Sequence, residues 1–232
     1  MKKTIFFTVS STPSFRNLFF LPGCVFDKIV ALLKTRDDLR FVFLIPDELF
    51  RKFSYRFLPH QSAACVVESI PVNKNLSIPQ RLFRFFYSYL IYTGTTHLLA
   101  SMGTRPDEMR PGSRFLAPFK MGVAYTFGRL RFVKTKVIPS LFSYIFPERP
   151  FAVLFERYGP QGVFLPNIYS WFDTLLAREA SERGIKTLGM VANWDHIDKY
   201  FIPFRADKFL AQSAQVRDGA VRSQAYRPRE VK

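Results

Sequence analysis

The sequence predicts an α/β fold built on a doubly wound, mainly parallel sheet of six or seven strands, with a helical segment inserted between the third and fourth strands. Three observations carry that expectation. Short apolar strands alternate with helical periodicity at the start, prolines break a long helical stretch in the middle, and α/β punctuation returns over the last third of the 232 residues. One large core is expected, because single cores stop growing near ~250 residues.

Residues 3–11 read as the first strand. Phe26, Ile29, Val30 and Leu33 recur at i, i+3, i+4 and i+7, the spacing of one helix face, and residues 39–46 return to an apolar strand. Parallel strands need such a crossover, and it is right-handed. A short helix at 48–53 leads to a third strand near 64–70, closed by Pro71. Ser77 and Gln80, with Pro79 in the first turn, form a capping box. The helix they open has an inner face of Leu82, Phe85, Phe86, Tyr89 and Leu90. Phe83, Tyr87 and Ile91 add a second apolar stripe, more than a half-exposed helix requires.

Pro106, Pro111, Pro118 and Pro139 interrupt the stretch that follows to about residue 147. A strand at 162–165 comes next, then a helix at 171–183 capped by Ser170 and stopped by Gly184, then strands at 186–192 and 207–212. Residues 1–214 are expected to form one domain with its helical insertion at about 77–147. Residues 215–232, carrying Arg217, Arg222, Arg227 and Arg229, read as a polar tail that starts as a helix and frays.

Composition narrows the class. Apolar residues make up 48% of the chain and aromatics 17%, with 27 phenylalanines, enough to offset chain entropy and to exclude intrinsic disorder. Lys and Arg number 34 against 18 Asp and Glu, and a net +16 favours phosphate-bearing partners. The excess concentrates in residues 81–136, where Arg81, Arg84, Arg105, Arg110, Arg114, Lys120, Arg129, Arg131, Lys134 and Lys136 face only Asp107 and Glu108. Arg81, Arg84, Arg129, Arg131, Lys134 and Lys136 are the candidate contacts with an anionic membrane surface. Cys24 and Cys65 form no CxxC pair and no metal-ligand spacing occurs, so a reducing cytosol and no metal are expected. Residues 4–9 are too short for a secretory core, and no uninterrupted run of 18 apolar residues exists to span a bilayer.

In a sheet ordered 3-2-1-4-5-6, ligands bind where the order reverses, outside the carboxyl ends of the first and fourth strands. Three loops are expected to meet in one cleft there. The first, residues 10–23, is long for a βα connection and offers Ser10, Arg16 and Asn17 for substrate binding. It is not GxGxxG, so it does not indicate a dinucleotide. The second, 166–171, offers Asn167 and Trp171, with Tyr169 between them. The third offers Asn193, Trp194 and Lys199 for binding, with Asp195 and His196 as candidate general base beside an aromatic ring on which a sugar could stack. A hydrogen-bonded turn and packed aromatics are the bland alternatives for these runs, and a solvated surface arginine for Arg16. His60 and His97 read as structural.

From residue 166 to 221 the runs Asn-Ile-Tyr-Ser-Trp-Phe-Asp-Thr-Leu-Leu-Ala-Arg-Glu-Ala, Gly-Ile-Lys-Thr-Leu-Gly-Met-Val-Ala-Asn-Trp-Asp-His-Ile-Asp-Lys and Ala-Asp-Lys-Phe-Leu-Ala-Gln-Ser resemble the end of the acceptor domain of bacterial GT-B glycosyltransferases. They look closest to those allied with the CDP-glycerol glycerophosphotransferase group. The opening Ser-Ser-x-x-x-x-Arg-Asn is similar too, and the match is weak across residues 72–147. The resemblance implies a Rossmann-like N-terminal domain and places Arg16, Asn17, Trp194, Asp195 and Lys199 on the family's motif positions. The sequence departs from the family's pattern in Asn193 for the usual Ser, His196 for the usual Asn, and Tyr200 where a glycine often stands.

The resemblance implies the acceptor-side half of a glycosyl- or glycerophosphotransferase acting on a surface glycan or lipid-linked acceptor. The cysteine usage and the basic, aromatic helices of residues 79–146 lead to the expectation of a cytoplasmic protein, peripheral on the inner face of the membrane. It implies no cofactor in this chain. A nucleotide-activated donor would bind a C-terminal donor domain, absent here, or a partner chain. Alone, the half is expected to be inactive, whether as a truncated product, a split gene or a relic. The competing class is a basic membrane-surface or RNA-binding module without catalysis; nucleic acid is disfavoured because no RNP-like, KH-like or finger motif occurs.

Overall fold

In a computed structural model, the residues described are all but 1, 21–23, 74, 103–115 and 200, with backbone alone at 99, 194 and 195. The chain divides into two compact units. The first comprises Met1–Asn73, Arg149–Ala192 and Ala206–Phe209; the second comprises Lys74–Glu148, Asn193–Arg205 and Leu210–Lys232.

The first unit is an α/β layer. Its strands are β1 (Lys3–Thr8), β2 (Leu39–Pro46), β3 (Cys65–Ile70), β4 (Gly162–Leu165) and β5 (Lys186–Met190), and β6 (Lys208–Leu210) completes a six-stranded sheet of order β3-β2-β1-β4-β5-β6. The pairings run parallel, with Ile5 opposite Phe41 on one side and Gly162 on the other. The expected doubly wound, Rossmann-like fold is therefore present, reversing between β1 and β4. The register follows from burial on both faces. Phe7, Phe41, Phe43, Ile45, Cys65 and Val67 join one core cluster with α1 (Thr12–Phe19), α2 (Val25–Thr35) and α3 (Asp47–Phe57). Phe15 of α1 stacks on Phe53 of α3 at 3.9 Å between centroids. Phe6, on the opposite face, meets Phe155 of α8 (Ala152–Tyr158) at 5.3 Å.

α9 (Trp171–Glu182) follows β4 and is buried from Phe172 through Ala180, including Arg178 and Glu179. Ser170 caps it, its Oγ accepting from Asp173 N at 2.9 Å, and Gly184 leaves it at φ +67, a left-handed stop. Gly189 on β5 is required for close packing, because a Cβ there would sit 2.8 Å from Ile168 Cδ1 and 2.9 Å from Ala206 Cβ.

The second unit is helical. It holds α4 (Ile78–Ser88), α5 (Gly94–Met102), α6 (Ala117–Tyr125), α7 (Ile138–Ile145) and α10 (Ala214–Ser223). The capping box forms as predicted, Gln80 Oε1 accepting from Ser77 N at 2.9 Å. The two stripes of α4 do not both face inward: Phe83, Tyr87, Tyr89, Leu90 and Ile91 are buried, Phe85 and Phe86 half-buried, and Leu82 is 65% exposed. Phe83 packs near Phe142 and Phe146, and Phe142 meets Phe204. Periodicity fixes two stripes but not which one finds partners. A five-residue π-helical turn, Val133–Val137, leads directly into α7.

The expected frayed tail is ordered instead. Val216, Ala220, Gln224, Ala225, Tyr226 and Val231 are buried. Gln224 explains it, because its Oε1 accepts from Ile202 N and its Nε2 donates to Ile197 O, both at 3.0 Å. One buried amide thus pairs with two otherwise orphaned backbone groups.

Candidate functional site

At the sheet's reversal point the chain builds a small polar corner from two connections. After β1, Ser11 caps α1: its Oγ accepts from Ser14 N at 3.2 Å and lies 2.8 Å from Ser14 Oγ. After β4, a turn carries Asn167, whose Nδ2 donates to Ser11 Oγ at 3.2 Å and whose N–H donates to Asp173 Oδ2, also at 3.2 Å. Two of the three predicted loops therefore meet, through Ser11 and Asn167.

Asp173 is fully buried in the first turn of α9. Burial pushes its carboxyl up to about 7, against the pull of the nearby Ser10 and Thr8 hydroxyls, the Asn167 N–H and Ser170. Among the described residues Thr8 Oγ1, Ser10 Oγ, Asn167 Oδ1 and Asp173 Oδ1 are buried with no hydrogen-bond partner. Buried groups of this kind are uncommon and call for a partner such as water or ligand. Two are pure acceptors when Asp173 is ionised and two are hydroxyls, a set that takes O–H donors rather than anions. A carboxyl near 7 can also hold or release a proton at neutral pH.

Sequence reasoning finds Ser10 and Asn167 but misses Asp173, Thr8, Ser11 and Ser14. The first loop is mostly helix: Ser11 as N-cap, Pro13 in the first turn and the buried Phe15 and Leu18 make α1 of what reads as a long connection. Arg16 is exposed and Asn17 half-buried on that helix, and neither joins the polar corner's hydrogen bonds. Trp171 is half-buried at the start of α9.

Asn193, Trp194, Asp195, His196 and Lys199 belong to the second unit, around a short 3-10 helix, Trp194–Asp198. The Thr93 and Thr96 hydroxyls donate to Asp198 O at 2.7 and 3.2 Å and anchor it. Asn193 is exposed, and His196 and Lys199 are half-buried. The side chains of Trp194 and Asp195, and Tyr200, lie outside the described residues.

Of the basic candidates, Arg81, Arg129, Arg131 and Lys136 are exposed and Arg84 half-buried. Arg105, Arg110 and Arg114 lie outside the described residues. Lys134 is a correction: it is 5% exposed, its Nζ donating to Ser223 O at 2.7 Å, so it offers no charge to a flat surface. Burial lowers its pKa to about 8. With Tyr92, Gly128, Arg129, Arg131 and α10 it lines a pocket of about 440 Å³ within the second unit. No cluster of His, Cys, Asp and Glu among the described residues could hold a metal ion.

No protein-family model matches the chain, and no curated protein matches its sequence. Among solved structures, Arabidopsis thaliana UGT89C1 complexed with UDP-L-rhamnose is similar at 7% identity and a TM-score of 0.37, over 100% of this chain and 51% of that one. The chain thus spans about half the length of that structure.

Proposed function

We propose that the chain is the acceptor-side half of a glycosyl- or glycerophosphotransferase that builds a surface glycan or lipid-linked polymer, the nucleotide-activated donor being held by a further domain or partner chain. The observation that carries this reading is the polar corner at the β1–β4 reversal. Its unpaired oxygens, Asp173 Oδ1 and Asn167 Oδ1 with the Thr8 and Ser10 hydroxyls, match the O–H groups of a sugar or polyol acceptor. The motif resemblance of the first loop and of residues 193–199 supports the same class. Asp195 and His196 remain the candidate base, with Trp194 and Lys199 beside them.

Saturation-transfer NMR with glycerol, a linear pentitol and simple hexosides tests the corner. At least one is expected to bind, and Ser10→Ala or Asn167→Ala to weaken it by roughly tenfold, the value of one buried hydrogen bond. Absence of binding across the panel, or binding indifferent to both changes, defeats the reading.

Peripheral attachment to an anionic membrane rests on a different observation. The second unit exposes Ile78 (72%), Leu82 (65%), Phe132 (69%) and Tyr144 (82%) beside Arg81 and Lys136. No helix among the described residues is long and apolar enough to cross a membrane. Exposed apolar side chains with cations suit the interface, where each Lys or Arg is worth ~1 kcal/mol and the attraction fades over a Debye length of about 10 Å. The protein is expected to float with anionic vesicles at low salt and to release as salt rises, and Ile78→Ser with Leu82→Ser and Tyr144→Ser to cut the bound fraction several-fold. Equal flotation with neutral vesicles counts against attachment of this kind.

A further inference from the structure

The second unit's pocket holds a set of cations that the acceptor reading does not use. Arg129, Arg131, Lys134 and Arg222 line it, with Tyr92, and no carboxylate does. Asp218 lies 3.7 Å from Arg222 and offsets one of these charges; the remaining like charges around one cavity repel each other, so their clustering calls for a compensating anion.

The side chains are held in place from behind. Lys134 Nζ donates to Ser223 O at 2.7 Å, and Arg131 Nη2 to Ala225 O at 3.2 Å. Each bond uses one donor and leaves the others of the ammonium and the guanidinium for a ligand. The guanidinium of Arg129 lies 3.9 Å from the Tyr125 ring centroid and 5.6 Å from that of Tyr92. This stacking fixes its plane while leaving its edge free to bond.

The wall that supplies these carbonyls is itself strained. Ala225 has φ 59, the sole positive value among described non-glycine residues. Its carbonyl also accepts from Arg205 Nη1 at 2.6 Å. A left-handed alanine is strained by its Cβ, and such strain clusters at ligand sites.

We infer that this pocket binds a phosphomonoester, either a soluble sugar or polyol phosphate or the headgroup of a lipid. Forked guanidinium donors and an anchored ammonium recognise a phosphate dianion, and about 440 Å³ leaves room for the group it esterifies. The site lies wholly in the second unit and shares no residue with the polar corner, so it stands or falls independently of the acceptor reading.

The test uses the full chain with inorganic phosphate and glycerol 3-phosphate as probes, followed by 31P NMR and by thermal shift, against potassium chloride at matched ionic strength. Both probes are expected to bind and to raise the melting temperature beyond chloride. Arg129→Gln, Arg131→Gln and Arg222→Gln are each expected to weaken binding at least tenfold, and Arg51→Gln, at an exposed cation of α3 in the first unit, to leave it unchanged. Arg222 is exposed, so its variant stays informative if another fails to fold. Vesicles separate the two sources. A preference for phosphatidic acid over phosphatidylglycerol at equal charge, lost in Arg129→Gln, assigns the site to a lipid headgroup; phosphate binding without that preference assigns it to a soluble ester. Shifts matched by chloride, or binding unmoved in all three arginine variants, overturn the inference.

Discussion

Between about pH 4 and about pH 8 the wild-type protein is expected to lose up to ~4 kcal/mol of folding stability relative to an Asp173→Asn variant. Burial lifts the Asp173 carboxyl from the ordinary 3.8 to about 7. Below about pH 4 it is protonated in both the folded and the unfolded chain, and the contribution is fully present. As pH rises, the unfolded chain releases the proton first, so stability falls until pH passes about 7. A gap of about three pH units at 1.36 kcal/mol each gives the ~4 kcal/mol. Asparagine is nearly isosteric, keeps an acceptor for the Asn167 N–H and does not titrate. Urea unfolding of both proteins across this range measures the difference. Parallel stability profiles would mean that Asp173 is ionised throughout, and the proton-holding role of the corner would fall with that result.

The second large effect is expected at Arg178, where Arg178→Met should cost ~3–5 kcal/mol. Arg178 and Glu179 are fully buried, with Arg178 Nη2 at 4.0 Å from Glu179 Oε1 and Nε at 3.8 Å from Glu182 Oε1. Glu179 Oε1 also accepts from Phe151 N at 3.1 Å, and burial raises the Glu179 pKa. Removing the arginine leaves that buried carboxylate with only the weaker influence of Arg183 and Arg149. Adding Glu179→Gln, which retains an acceptor for Phe151, should recover much of the loss, and a double-mutant cycle reads the coupling. A cost below ~1 kcal/mol for Arg178→Met alone would show that solvent reaches the pair.

Most of the sheet was legible because parallel strands buried on both faces read as nearly continuous apolar runs, as in residues 39–46. Helix ends were legible where a cap states them, at Ser77, Ser170 and Gly184. What escaped depended on distant partners. Asp173 reads as an ordinary acid complementing a helix N-terminus, and only the approach of Thr8 and Ser10, from the other end of the sequence, buries it. Lys134 reads as surface charge until α10 covers it. α1 was hidden by a run of serine, threonine and proline that signals a turn as readily as a cap. On α4, periodicity points to Leu82, Phe85 and Phe86 as the inner face, but Phe142 and Phe146 pack against Phe83 of the other stripe and leave Leu82 exposed.

The interleaving of the two units has a consequence for how the chain is made. Its path changes unit five times, after residues 73, 148, 192, 205 and 209. The two innermost strands of the sheet, β1 and β4, pair Ile5 with Gly162, 157 positions apart (162 − 5). A ribosome therefore delivers β1, β2 and β3 long before the strand that must lie against β1. Until it arrives, one edge of β1 stays unsatisfied while the 74–148 segment is synthesised. High contact order of this kind slows folding and prolongs exposure of an apolar edge. Fragments cut at a single point should inherit the same defect, since no one break in the sequence yields either unit whole.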